Sequence, residues 1–265
     1  MLIGVLAETL TFCSCNSDER ESDIGISPLK ISTNINSRSI VSGTSFINGD
    51  QVGVFVLNPQ GNAYDAGSLN LRGLYSTQWS FPDLTLYLTS KKAAVYAYYP
   101  YVQGNDSTKI SVKISDQTDY LYGCSTDSVN NSSSTANIQF KHALARVTIS
   151  LIRDSNDKGT GLLKSVTLRN TPNNTDISVL GVLDIKTGNI VPVIDAKASL
   201  MLFPNDVISN STATNIDILV IPTTVNYNAE AVMDIDGKYY SFKIPKTNWE
   251  AGKQYTYPIT INRTE

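Results

Sequence analysis

Histidine, cysteine and charge are all scarce in this chain, and each scarcity excludes something. Among 265 residues there are one histidine and three cysteines. The lone His142 lies in Phe140-Lys141-His142-Ala143-Leu144-Ala145-Arg146. With no second histidine and no nearby cysteine it cannot build the usual zinc sites, and a Ser-His-Asp triad would have to use this one residue. Such a histidine more often has a structural role. No Gly-x-Ser-x-Gly elbow, Walker loop or dinucleotide-binding glycine fingerprint occurs. An enzyme is therefore not expected, nor is a cofactor or a metal. Charged residues make up 17% and the net charge is −3, which leaves no electrostatic footprint for nucleic acid and no polybasic patch for anionic lipid. No apolar run reaches the roughly 18 to 20 residues of a membrane-spanning helix. Beyond Cys13 and Cys15 only Cys124 remains, so the body of the chain has no internal disulfide available. Its stability has to come from core burial and sheet hydrogen bonds.

What is present is a succession of short strands. From residue 28 onward the hydrophobic period is mostly two, with Val, Ile, Thr and Tyr enriched and turn residues between the runs. Leu29, Ile31, Thr33 and Ile35 alternate with polar neighbours. Gln51 to Leu57 follows the Asn48-Gly49-Asp50 turn, and Ala94 to Tyr99 stops at Pro100. Further on, Ala145 to Leu151 and Leu163 to Leu168 flank a loop rich in Asp, Asn and Gly and read as a hairpin. Val182 to Ile185 with Ile190 to Ile194 reads as another, and Ala231 to Ile235 with Tyr239 to Ile244, turning at Asp236-Gly237, as a third. Ile216 to Ile221 and Tyr255 to Ile261 complete the set. So many strands without helical segments predict an all-β chain of antiparallel sandwiches. The length allows two domains. A break near residue 155, in Arg153 to Gly159, divides the chain into 1–27, 28–155 and 156–265. The Ser/Asn tract Ser128 to Ser134 is the other candidate break.

Two motifs resemble binding sites only in part. Asp154 to Gly159 starts like a calcium loop but has Lys158 in the fifth place and Ser165 in the twelfth, where a bidentate carboxylate is wanted, so a turn is expected. Tyr96, Tyr98, Tyr99 and Tyr101 are dense enough for a sugar platform. Alternation instead predicts Val95, Ala97 and Tyr99 on one face of a strand and Tyr96 and Tyr98 on the other.

The N-terminus resembles a bacterial lipoprotein signal. An apolar run ends in Phe12-Cys13-Ser14-Cys15 and gives way to the acidic tether Asn16 to Asp23. Cys15, preceded by a small residue, is the expected lipidation site, with Cys13 the weaker alternative. Acyl chains there would add about 0.8 kcal/mol of membrane affinity per buried CH₂. The run has no Lys or Arg, is short, and contains Glu8. A start assigned too far downstream would account for all three.

Four segments in this order resemble the fimbrillin family, the type V pilus proteins of Bacteroidales. They are Ser37-Arg38 followed by Phe46-Ile47-Asn48-Gly49-Asp50-Gln51-Val52-Gly53-Val54-Phe55; Tyr96-Ala97-Tyr98-Tyr99-Pro100-Tyr101; Phe140 to Val147; and Trp249-Glu250-Ala251-Gly252-Lys253-Gln254-Tyr255-Thr256-Tyr257. The resemblance implies two transthyretin-like β-sandwich domains in tandem and export to the cell surface as an outer-membrane lipoprotein. It also implies assembly with other fimbrial subunits by strand exchange, and adhesion to a host or bacterial surface ligand. In the family a trypsin-like protease cuts after an Arg or Lys and frees the first strand, leaving a groove for a neighbour's strand. Arg38, just after the alternating run, is the candidate site; an uncut surface arginine is the even alternative. Tyr255 to Ile261 reads as a final domain strand rather than a donor, which favours a tip or accessory subunit over a stalk. A non-polymerising surface lipoprotein that binds glycan or another ligand is the second reading.

Overall fold

The computed structural model describes residues 25–35, 45–171 and 176–262. Their regular structure is all β, with no helix. The first half supplies β1 (Ser27–Pro28), β2 (Lys30–Ile35), β3 (Gln51–Leu57), β4 (Leu71–Tyr75) and β5 (Trp79–Ser80). It continues through β6 (Tyr87–Leu88), β7 (Ala94–Tyr99), β8 (Lys109–Lys113), β9 (Leu121–Ser125) and β10 (Thr135–His142). Seven of these form one sheet in the order β2-β10-β9-β7-β3-β4-β5, while β1 pairs with β6.

Side-chain alternation decides what each face of that sheet covers. Val52, Val54 and Val56 of β3, Val95 and Ala97 of β7, and Ile138 and Phe140 of β10 point into a first core. Phe55 of β3 and Tyr98 of β7 point to the opposite side, into a second core, and Tyr96 packs against it. The β7 tyrosines are thus divided between faces as the alternation requires, with Tyr99 against the first core. They form no exposed platform. Gly53 makes this packing feasible, since a Cβ there would fall 2.0 Å from Tyr98 Cε1. The Tyr98 hydroxyl donates to Asn70 Oδ1 at 2.8 Å, and burial pushes the phenol pKa above its ordinary value.

The second half holds β11 (Ala145–Arg153), β12 (Leu162–Asn170), β13 (Leu180–Asp184), β14 (Ile190–Pro192), β15 (Leu200–Leu202) and β16 (Asp206–Val207). After them come β17 (Thr214–Val220), β18 (Thr223–Val225), β19 (Ala229–Ile235), β20 (Lys238–Lys243), β21 (Thr247–Trp249) and β22 (Gln254–Ile261). Sheet β17-β11-β22 and sheet β15-β12-β19-β20 bury their inner residues, among them Val147, Ile149, Ile218, Leu168 and Met233, in the second core.

The expected hairpin of Ala145–Leu151 with Leu163–Leu168 does not form. β11 pairs with β17 and β22, and β12 with β15, β16 and β19. The Asp154–Gly161 loop carries the chain from one sheet to the other, because both strands have an apolar face and bury more of it across a shared core than side by side. The Asp236-Gly237 hairpin does form, joining β19 to β20, and so does that of β13 with β14. The expectation of purely antiparallel sheets is also corrected, for β2 runs parallel to β10 and β22 parallel to β11. A further pairing crosses the middle of the chain, where β8 lies antiparallel to β13. β11 likewise takes both its partners from later strands, although it precedes the break read near residue 155.

Candidate functional site

The segment at residues 27–35 changes partners part-way. Ser27 and Pro28 pair with Leu88 and Tyr87, and the Leu29 amide donates to the Leu86 carbonyl at 2.8 Å. From Lys30 the strand moves to β10, in register from Lys30 opposite Thr135 to Ile35 opposite Phe140. β2 is therefore the edge of its sheet. Leu29, Ile31 and Ile35 are buried in the first core and Thr33 is half-buried, while Lys30, Ser32 and Asn34 are exposed. The alternation read from the sequence is the alternation of burial. Each of the three aliphatic side chains gains roughly 1.5–3 kcal/mol from burial, so the strand is held mainly by what it inserts.

The sheet curls until its two ends meet, bringing β5 against β2. There the Trp79 indole donates from Nε1 to Thr33 Oγ1 at 2.9 Å. Phe46 closes the same end, edge-on to Trp79 at 5.0 Å, to Phe140 at 5.2 Å and to Tyr99 at 5.8 Å between ring centroids. A cleft of about 310 Å³ runs along β2 between residues 31–35 and Phe46, Tyr75, Gln78 and Trp79. Beside it a second depression reaches Asp50, Tyr99, Asp116 and Asp119. Sequence reasoning placed β2 and quoted Phe46 but missed Trp79. The available signal was that Trp79 is one of only two tryptophans.

The candidates named from the sequence are distributed as follows. Cys15, its alternative Cys13, and Arg38 lie outside the described residues. Cys124 is a free, exposed thiol on β9. His142 is buried at the end of β10, its Nδ1 2.7 Å from Asp119 Oδ2, a fixed pair under the rim of the second depression. In the Asp154–Gly159 loop the Asn156 amide donates to Asp154 Oδ1 and the Gly159 amide to Asp157 Oδ1, both at 2.8 Å. These are turn-forming bonds of the kind Asp side chains make to nearby backbone. Among the described residues no group of three or more His, Cys, Asp or Glu side chains is placed to hold a metal ion.

A family model for fimbrillin-like proteins matches residues 37–265. The chain belongs to the fimbrillin-like family. The match begins just past β2, so the edge strand lies outside the aligned part of this fimbrillin-like chain. Among solved structures, a proposed cell adhesion protein of Bacteroides uniformis is similar with a TM-score of 0.70 at 17% identity, over 90% of this chain and 95% of that one. A proposed cell adhesion protein of Bacteroides ovatus is similar with a TM-score of 0.69 at 17% identity, over 89% and 92%. A fimbrial protein of Bacteroides ovatus gives 0.51 at 14% identity, over 89% of this chain and 50% of that one. At these identities the likeness is one of fold. None of the curated proteins compared matches the chain.

Proposed function

We propose that this fimbrillin-like chain is a structural subunit of surface fimbriae that contributes to cell adhesion, with no catalytic role, and that it assembles by strand exchange at the groove of β2. The observation that carries this reading is the placement of β2. It is an edge strand that, with Leu29 just before it, inserts Ile31 and Ile35 into the first core; the other six strands of its sheet have partners of their own, whereas β6 is paired only with β1. Cutting the chain after Arg38 would free β2 to leave. Its departure together with β1 would expose the β10 and β6 edges and three apolar sockets, and a neighbour's strand could restore both the pairing and the burial.

The same proposal holds that Cys15 carries the lipid anchor at the outer membrane and that the chain comprises a tether of residues 1–27 and two tandem transthyretin-like sandwiches. The break was read near residue 155, and the pairings of β11 favour a second unit that already begins at Ala145. The proposal also holds that the chain is a tip or accessory subunit.

The test is limited trypsin treatment followed by size-exclusion chromatography of intact and clipped protein, alone and with a donor-strand peptide. Clipped protein should stay folded and bind the peptide, and an Arg38→Ala variant should resist conversion. If clipped protein unfolds outright, or neither binds nor assembles, strand exchange is wrong and the non-polymerising lipoprotein that binds a ligand takes its place.

A further inference from the structure

A third concavity, sharing no residue with the groove of β2 or the depression beside it, lies between the loop after β3 and the turn before β7. It measures about 400 Å³ and is lined by Asn58, Pro59, Gln60, Tyr64, Lys91 and Lys92. That is within the size range of small-ligand sites.

Both walls are fixed in advance. Asn58 Oδ1 accepts from the Gln60 amide at 3.0 Å and the Asn62 amide at 3.1 Å, which folds the first loop on itself. The Tyr64 hydroxyl receives the Thr89 amide at 2.9 Å and lies 2.9 Å from Thr89 Oγ1. The Lys91 amide donates to that same Oγ1 at 3.3 Å. The tyrosine ring is therefore tied to the turn that carries the lysines, and what remains for a ligand to order is the two exposed lysine side chains.

The charge of the cleft is one-sided. Two adjacent lysines stand in a lining without a carboxylate, and neither is ion-paired among the described residues. This local field runs against the chain's net charge of −3 and attracts an anion. A bare phosphate would make no use of the rest of the lining. A sugar ring would, since its C–H face suits the Tyr64 and Pro59 surfaces and its hydroxyls suit the side-chain amide of Gln60.

We infer that this cleft binds an acidic carbohydrate, a uronate or sulfated sugar, with Lys91 and Lys92 on the anionic group and Tyr64 beneath the ring. This goes beyond the assembly reading and does not depend on it, because the intact monomer should bind.

The experiment titrates the intact full chain with digalacturonate, a sulfated galactose, cellobiose as neutral control and inorganic phosphate as bare anion, by calorimetry and amide chemical shifts. At least one acidic sugar should bind and shift amides at 58–64 and 89–92, more tightly than cellobiose or phosphate. Lys91→Ala/Lys92→Ala should weaken it at least tenfold, while Lys164→Ala/Lys246→Ala leaves it unchanged. Failure of both acidic sugars to bind at millimolar concentration, phosphate binding as tightly as they do, or an undiminished double variant would each overturn the assignment. If the double variant fails to fold, the shift map of the parent protein decides, and shifts confined to other residues count against the site.

Discussion

Trp79 Nε1 donates to Thr33 Oγ1 at 2.9 Å, joining the last strand of the seven-stranded sheet to the first. Trp79 stands on β5 and Thr33 on β2, so the bond closes the curl of the sheet on the very strand that the proposed strand exchange would release. A latch of this kind has to be weak enough to lose. One hydrogen bond contributes about 1 kcal/mol net, against the larger contribution from the buried aliphatics of β2.

Trp79→Phe keeps an aromatic ring against Phe46 and removes the donor. Urea denaturation should show a loss of about 1 kcal/mol, and hydrogen exchange should accelerate at the amides of β2 more than in β3 or β7. Unchanged exchange in β2 would show that the indole does not hold the strand.

The β19–β20 turn has Asp236 at φ 53° and Gly237 at φ 80°, the left-handed pair that a two-residue hairpin of this twist requires. A Cβ on Gly237 would meet nothing within 4 Å, so the cost of a substitution there is conformational alone. Gly237→Val should lose about 1 kcal/mol or more, and Gly237→Asn distinctly less, because Asn tolerates this region. Equal thermal shifts for the two would point to a cause other than φ.

Acid stability should depend on Asp217. Burial pushes its carboxyl pKa up, but hydrogen bonds from Arg146 and Thr148 outweigh this and hold it below the ordinary value. As pH falls, the unfolded chain takes up this proton first. The contribution is therefore complete above the ordinary carboxylate value of about 4 and is lost as pH drops through the lower folded value. Denaturation measured between pH 6 and pH 2 should show a shallower acid loss in Asp217→Asn than in the parent, and equal slopes would remove Asp217 from the account. The exposed Arg72–Asp83 pair, also hydrogen-bonded, should contribute little.

For the anchor, Cys15→Ala should abolish incorporation of labelled fatty acid into the full-length protein expressed in its native type of host. Labelling that persists in this variant and disappears in Cys13→Ala would transfer the anchor to the other cysteine.

By itself the sequence determined the strand character of the chain and the facing of its side chains. Leu29, Ile31 and Ile35 inward and Lys30, Ser32 and Asn34 outward follow from a period of two, as does the division of Val95 and Ala97 from Tyr96 and Tyr98; both are local properties of extended backbone. The Asp236-Gly237 turn was legible because its φ values restrict the residue types. Partner choice was not legible. Backbone N–H and C=O groups are alike in every strand, so nothing local distinguishes β10 from a nearer neighbour for β2, or β17 from β12 for β11. Only the tertiary structure settled those pairings, through the apolar area that distant segments bury together, and with them the parallel edge at β2, the crossing of β8 to β13 and the approach of Trp79 to Thr33.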